Sequence, residues 1–170
     1  MNELISPEYK ALYQRYYQEQ EIPDGQSRWY QEIQALCEDY HCQSLLDYGS
    51  GPVKRFAQFE QEVEFYDPAI PGLDKIPNSA DCVVCLDVIE HIEGRFVFPT
   101  IRRLQKLTNK ILFVCISCQH STKTLPDGSP WHISVRPYAW WEERLRKLGF
   151  MATPYHDTGR DEYTGLWIAE

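Results

Sequence analysis

Three short apolar runs in this chain each end in an acid. Leu45-Leu46-Asp47 leads into Tyr48-Gly49-Ser50-Gly51, Val63-Glu64-Phe65-Tyr66 ends at Asp67, and Val83-Val84-Cys85-Leu86 ends at Asp87-Val88-Ile89-Glu90-His91. Where a buried strand turns through two glycines into the next segment, the backbone can approach a ligand closely. A carboxylate at the end of the following strand can accept hydrogen bonds from both hydroxyls of a ribose, and Asp67 stands 16 residues beyond Gly51. Singly, each glycine reads as a turn residue and each acid as a helix cap. Together, at three strand ends, they form a rim suited to a nucleoside, because ligands of open α/β sheets bind outside the carboxyl ends of the strands. Beside that rim, His91 and His132 are candidate general bases, since imidazole titrates near neutrality. Either could equally be a histidine hydrogen-bonded to backbone. Glu90 is placed to orient His91 or an amine substrate.

The elements that must position these residues follow from periodicity. Leu4, Tyr9, Leu12, Tyr13, Tyr16 and Tyr17 recur at helical spacing over 3–20, and Trp29, Ile33, Leu36 and Cys37 do so over 26–40. Strands are predicted at 44–48, 63–67, 81–86 and 110–117, a short helix at 53–60 and a longer one over about 90–107. Pro99 must stand near an end of that longer helix or at a kink. Residues 118–135 form a long loop with a Pro-Asp-Gly-Ser-Pro turn, and long loops in compact domains are often functional. Pro137 opens a helix over 137–148, and GFMATPYHD and EYTGLWIAE read as a terminal strand pair. Alternation of this kind implies a mostly parallel sheet of about six strands with helices on both faces. The whole of 1–170 is expected to be one domain, with 1–43 as an N-terminal helical cap and 44–170 as the core.

Composition narrows the partners. The net charge of -8 argues against strong nucleic-acid binding, which needs a basic face. Lys54 and Arg55, the run Arg102, Arg103 and Lys106, and Arg144, Arg146 and Lys147 read as solvated surface. No basic-then-apolar leader and no run of about 20 apolar residues is present, so a cytoplasmic protein without a membrane partner is expected. The 6 cysteines include Cys82-x-x-Cys85 and Cys115-x-x-Cys118. In strands, residues three apart face opposite ways, so a zinc site is not expected and the thiols should pack as small apolar groups. Trp140 and Trp141 point about 100° apart on a helix, one toward the core and the other free to line a pocket.

The segments LLDYGSG, VEFYDP and DCVVCLDVIEHI make the chain resemble the class I S-adenosylmethionine-dependent methyltransferases. The last is close to the DVLEHI signature of one large branch. LPDGSPWHISVRPYAWWEERLRKLGF resembles a small subgroup found in phage and bacterial genomes. The resemblance implies a Rossmann-like fold with an antiparallel last strand and S-adenosylmethionine as cofactor. It implies that Asp47 supports the turn and the methionine amino group, and that Gly49, Ser50 and Gly51 line the methionyl and ribose side. Asp67, followed by Pro68, would bind the ribose, while Leu86 and Asp87 would lie beside the methyl donor. Two departures stand out. Val53, after Pro52, replaces the family's third glycine, and the segment after Asp67 is too short for the usual helix and third strand. The adenine is therefore expected against Ile70, Leu73 or Ile76.

The expected activity is methyl transfer to a small molecule or modified nucleotide, with His91 and His132 as the catalytic candidates, no metal, and a possible homodimer. The Asn-Pro-Pro-Tyr and Pro-Cys motifs of DNA methyltransferases are absent. A cofactor-binding partner protein without turnover is the alternative. A short NAD-binding domain is a third, against which the glycine turn lacks G-x-G-x-x-G spacing.

Overall fold

The structure, a computed structural model, describes residues 4–153 and 161–169. Helix α1 (Pro7–Glu19) starts where the Ser6 side chain accepts the Tyr9 N–H at 3.2 Å, with proline at the first turn. Helix α2 (Tyr30–Asp39) precedes strand β1 (Ser44–Tyr48), and β2 (Glu62–Tyr66) and β3 (Ala80–Leu86) follow. A single 3-10 turn, Ile89–His91, leads into α3 (Gly94–Leu107) and β4 (Thr108–Ser117). After the long loop come α4 (Tyr138–Arg146), β5 (Met151–Ala152) and β6 (Glu162–Ile168).

The six strands lie in the order β2-β1-β3-β4-β6-β5. β1 to β4 are parallel, whereas β6 runs antiparallel to both β4 and β5. This is the trimmed sheet with an antiparallel last strand that the sequence predicts. Part of the predicted strand GFMATPYHD lies outside the described residues. The pleat sends alternate side chains to opposite cores. Leu46, Val83 and Leu112 pack with Ile101, Leu104, Trp141 and Leu145 of α3 and α4. On the other face, Leu45, Val84 and Phe113 pack with Trp29, Ile33 and Cys37 beside α2. Cys82 and Cys85 therefore fall in different cores, as do Cys115 and Cys118, and all six thiols are buried and free. No helix among the described residues is long and apolar enough to cross a membrane.

Three local expectations are corrected. Residues 53–60 do not form a helix. They form successive tight turns, with the Ala57 N–H on the Lys54 carbonyl at 3.1 Å and the Phe59 N–H on the Phe56 carbonyl at 3.0 Å. Pro52 supplies no donor, and burying both Phe56 and Phe59 closes the short path to β2 before a second helical turn can form. Helix α3 starts at Gly94 rather than near 90, and Pro99 stands in its second turn, where it removes the N–H that would have met the Arg95 carbonyl. Arg103 is buried against Tyr48 rather than solvated.

Helix α1 packs on neither face of the sheet. Tyr13 and Tyr16 are buried with Ala69 and Leu125 in a separate cluster over the carboxyl ends of the strands. Its N-terminus is pinned by the Ser6 N–H donating to Glu93 at 2.8 Å.

Candidate functional site

The turn after β1 has the form its glycines demand. Gly49 has φ +84° and Gly51 φ +63°, both in the left-handed region that a side chain disfavours. A Cβ on Gly49 would stand 2.5 Å from a Val88 methyl. The Gly49 and Ser50 N–H groups donate to the Tyr66 carbonyl at 2.7 and 3.1 Å, which binds the turn to the end of β2. Asp67 completes the attachment. It accepts the Gly51 N–H at 3.0 Å on one oxygen and the Ala69 N–H at 2.8 Å on the other.

A cleft of about 530 Å³ opens over this turn, and its walls include Asp47, Gly49, Ser50, Gly51, Leu86 and Asp87. The volume lies in the range of small-molecule sites. Val53 is on its wall, at the edge the sequence marked as crowded. Burial pushes the Asp47 carboxyl up to about 7, with Arg55 drawing it down and Asp67 adding to the rise. Asp87 has φ +55°, a conformation that aspartate tolerates better than most residues, and its N–H is held by the Cys115 carbonyl at 3.0 Å.

Asp67 and Pro68 face elsewhere. With Tyr66 and Ala69 they line a smaller aromatic cavity of about 140 Å³ beneath α1, roofed by Tyr9, Tyr13 and Tyr17. Gly49, Asp87, His91, Tyr17 and Trp131 border both spaces. The residues expected to hold an adenine are not on either wall. The loop after Asp67 folds into consecutive turns, with the Asp67 N–H on the Leu73 carbonyl at 3.0 Å, and Ile76 is 55% exposed. Pro68, Ala69 and the tyrosines of α1 stand where those isoleucines were expected.

A third space, about 440 Å³, adjoins the cleft and shares Asp87, His91, Lys123 and Trp131 with it. Both candidate bases border it. The His91 Nδ1 is 2.8 Å from the Trp131 carbonyl and the His132 Nδ1 is 2.6 Å from the Gln119 carbonyl. A carbonyl can only accept, so each Nδ1 carries a proton, and in the neutral ring the lone pair is then on Nε2. Burial pushes His91 down to about 3, with the Trp131 carbonyl partly opposing. Glu90 is fully buried and pushed up to about 8 by burial, with Asp87 adding to the rise. It accepts the Ser117 N–H at 3.1 Å, while its backbone carbonyl accepts the Ile133 and Ser134 N–H groups at 2.9 Å. The long loop is thus fastened to the 3-10 turn that carries Glu90 and His91.

The sequence did not reveal Arg28. Its guanidinium donates to Asp87 and Glu162 at 2.9 Å each and lies 3.3 Å from the Cys115 sulfur. No spacing signals a contact that spans 59 and 134 positions. Arg28→Gln is expected to destabilise the fold by about 1–2 kcal/mol, because Glu162 stays buried after losing a charged donor. Urea denaturation checks this, and an unchanged midpoint would contradict it. Trp131 was also missed, although it precedes His132 in the long loop. Its ring lies 4.0 Å from Tyr16 and 4.9 Å from His91, centroid to centroid. Of the tryptophan pair, Trp141 is core, and Trp140 packs on Phe98 and Arg144 rather than lining any of the three spaces.

No protein-family model matches the chain, and no curated protein matches it. Solved structures do. The magnesium protoporphyrin IX methyltransferase of Synechocystis PCC 6803, with bound S-adenosylmethionine, is similar over 100% of both chains at 15% identity and a TM-score of 0.57. A Burkholderia thailandensis 1,6-didemethyltoxoflavin N1-methyltransferase, with its substrate and S-adenosylhomocysteine, is similar over 99% of this chain and 92% of that one, at 14% identity and a TM-score of 0.57. The methyltransferase domain of a bacterial protein, CtHen1, is similar over 82% and 97% at 12% identity and a TM-score of 0.55. At these identities the likeness is one of fold: Rossmann-like, of the class I methyltransferase type.

Proposed function

We propose that this chain is an S-adenosylmethionine-dependent methyltransferase acting on a small molecule or a modified nucleotide. The observation that carries the proposal is a glycine turn latched by Asp67 beneath a cleft that continues into a polar space bordered by two histidines with free Nε2 atoms. The fold neighbours that bind S-adenosylmethionine or S-adenosylhomocysteine support it.

The residues present fit that cofactor. Asp47 would receive its ammonium group, the Gly49–Gly51 backbone would lie along its methionyl and ribose side, and Asp67 would take the ribose hydroxyls. Leu86 and Asp87 would flank the reacting end, and the aromatic cavity under α1, with Pro68, would enclose the base. When bound, the cofactor supplies a methyl group on a sulfonium, open to in-line displacement. The chain's own contribution is alignment and exclusion of water. His132 is the group placed to take a proton from the acceptor. His91, kept neutral by burial, acts as a fixed hydrogen-bond acceptor.

A pH dependence follows from Asp47. Its carboxyl is raised to about 7, so below that value it is protonated and cannot pair with an ammonium. The α-amino group stays largely protonated below its usual 7.7–8.0. Affinity for S-adenosylhomocysteine is therefore expected to rise roughly five- to sixfold from pH 6 to pH 7.5. Calorimetry at several pH values measures this, and Asp47→Asn should flatten the profile. A flat profile in the wild type would remove Asp47 from the ammonium site.

The activity itself is tested by following S-adenosylhomocysteine release from S-adenosylmethionine across a panel of hydroxylated and amino-bearing small molecules and nucleotides. Acceptor-dependent release supports a methyltransferase. Cofactor binding with no release for any acceptor favours the second reading, a cofactor-binding partner protein. One feature speaks for that reading: Val53 on the cleft wall.

A further inference from the structure

The 3-10 turn and the long loop bring together one carboxylate and two imidazoles. Single ligand atoms of Glu90, His91 and His132 all lie within 4.8 Å of one another. Three independent features make this more than a polar cluster. Among the described residues, the second oxygen of the fully buried Glu90 carboxylate has no hydrogen-bond partner, although its first is fixed by the Ser117 N–H. A buried carboxylate oxygen left without a partner is expensive. Both imidazoles have Nδ1 committed to a backbone carbonyl, the outer-shell arrangement that orients a metal-ligating histidine and leaves Nε2 as the donor. Finally, acids line the adjoining space: Asp87 and Glu162 are paired with Arg28, while Glu90 and Asp161 have Lys123 as the cation among the described residues on its wall.

We propose that Glu90, His91 and His132 bind one divalent first-row transition ion at the boundary between the cofactor cleft and the acceptor space. Two imidazole nitrogens and a carboxylate oxygen are a donor set for such an ion rather than for calcium or magnesium, which favour oxygen. Metal–ligand distances of about 2.0–2.2 Å require the three atoms to draw together by side-chain rotation, which the loop position of His132 permits. Glu90, His91 and His132 all border the third space, so an ion there would be able to hold an oxygen-bearing acceptor, such as a hydroxyl, against the methyl donor. That last role rests on the proposed methyltransferase activity, and in it the ion rather than His132 would activate the acceptor, because an Nε2 that holds the ion has no lone pair left for a proton. The ion site itself does not rest on that activity.

A second cluster, Asp87, Cys115 and Glu162, has comparable spacing but is filled by the Arg28 guanidinium. It therefore offers no room for a metal.

The test is titration of the full chain with cobalt(II) chloride, without any cofactor, followed by visible ligand-field bands and calorimetry. One equivalent is expected to bind with bands typical of mixed nitrogen and oxygen ligation. His132→Ala and Glu90→Gln should each weaken binding at least tenfold, since loss of a ligand exceeds loss of an outer-shell partner. His120→Ala, on the exposed part of the same loop, should leave it unchanged. His132 is half-buried on a loop, so circular dichroism of His132→Ala should match the wild type and keep the comparison valid. Absence of stoichiometric binding, or binding that His132→Ala leaves intact, would overturn the proposal. Because no cofactor is present, this result is independent of S-adenosylhomocysteine binding, and each proposal can fail alone.

Discussion

Gly49→Ala is expected to lower the unfolding free energy by about 2–4 kcal/mol and to abolish cofactor binding. The stability loss has two sources. A side chain at φ +84° adds about 1–2 kcal/mol of backbone strain. A Cβ at 2.5 Å from the Val88 methyl adds overpacking, typically about 1–3 kcal/mol. Valine is stiff at its first torsion, so it cannot swing clear. Removing the methyls separates the sources: in Gly49→Ala with Val88→Ala, most of the packing part should be recovered, the Cβ of residue 88 staying at 3.3 Å, while the backbone part remains. Denaturant unfolding of the two single variants and the double variant measures the coupling. A loss below about half a kcal/mol in Gly49→Ala would mean that the turn is not held as described.

The second large effect is at Asp67. Asp67→Ala should weaken S-adenosylhomocysteine binding at least a hundredfold and destabilise the fold by about 2–4 kcal/mol. The buried carboxylate accepts N–H groups from two separate turns, those of Gly51 and Ala69. Each amide left without an acceptor costs about 1–3 kcal/mol, and relaxation of the turns recovers part of that. Asp67→Asn retains a single acceptor oxygen, so it should be milder in stability yet still weak in binding. Equal affinity in wild type and Asp67→Ala would place the ribose elsewhere.

The outline of the fold was legible because it depends on patterns that sequence carries directly. Continuous apolar runs ending in Asp47, Asp67 and Asp87 identified three parallel strands and the rim at their ends. The brevity of 68–79 announced the missing strand. Less was legible where chain entropy and burial compete over a few residues. The segment 53–60 has helical composition, but two phenylalanines that must both be buried fold it into turns. The position of α1 was not legible either. Its tyrosines have the spacing of any amphipathic helix, and only the fold shows that they roof Asp67 rather than cover the sheet. Arg28 was beyond reach because it stands between two helical segments and meets residues from three distant strand ends. His91 and His132 were named separately, and the structure brings their rings to 4.8 Å, centroid to centroid. Glu90 was read as a group to orient His91 or an amine substrate, and the structure adds that one of its buried carboxylate oxygens has no hydrogen-bond partner among the described residues.

The central claim is that the Gly49–Gly51 turn and Asp67, where the cleft meets the aromatic cavity, take the nucleoside of S-adenosylmethionine. Calorimetric titration of the intact protein with S-adenosylhomocysteine tests it most directly. One site with micromolar affinity is the predicted result, and its loss in Asp67→Ala would tie the heat to the Asp67 carboxylate and the turn it latches. Absence of binding at millimolar ligand near neutral pH would contradict the claim and leave the fold without the cofactor its strand ends resemble.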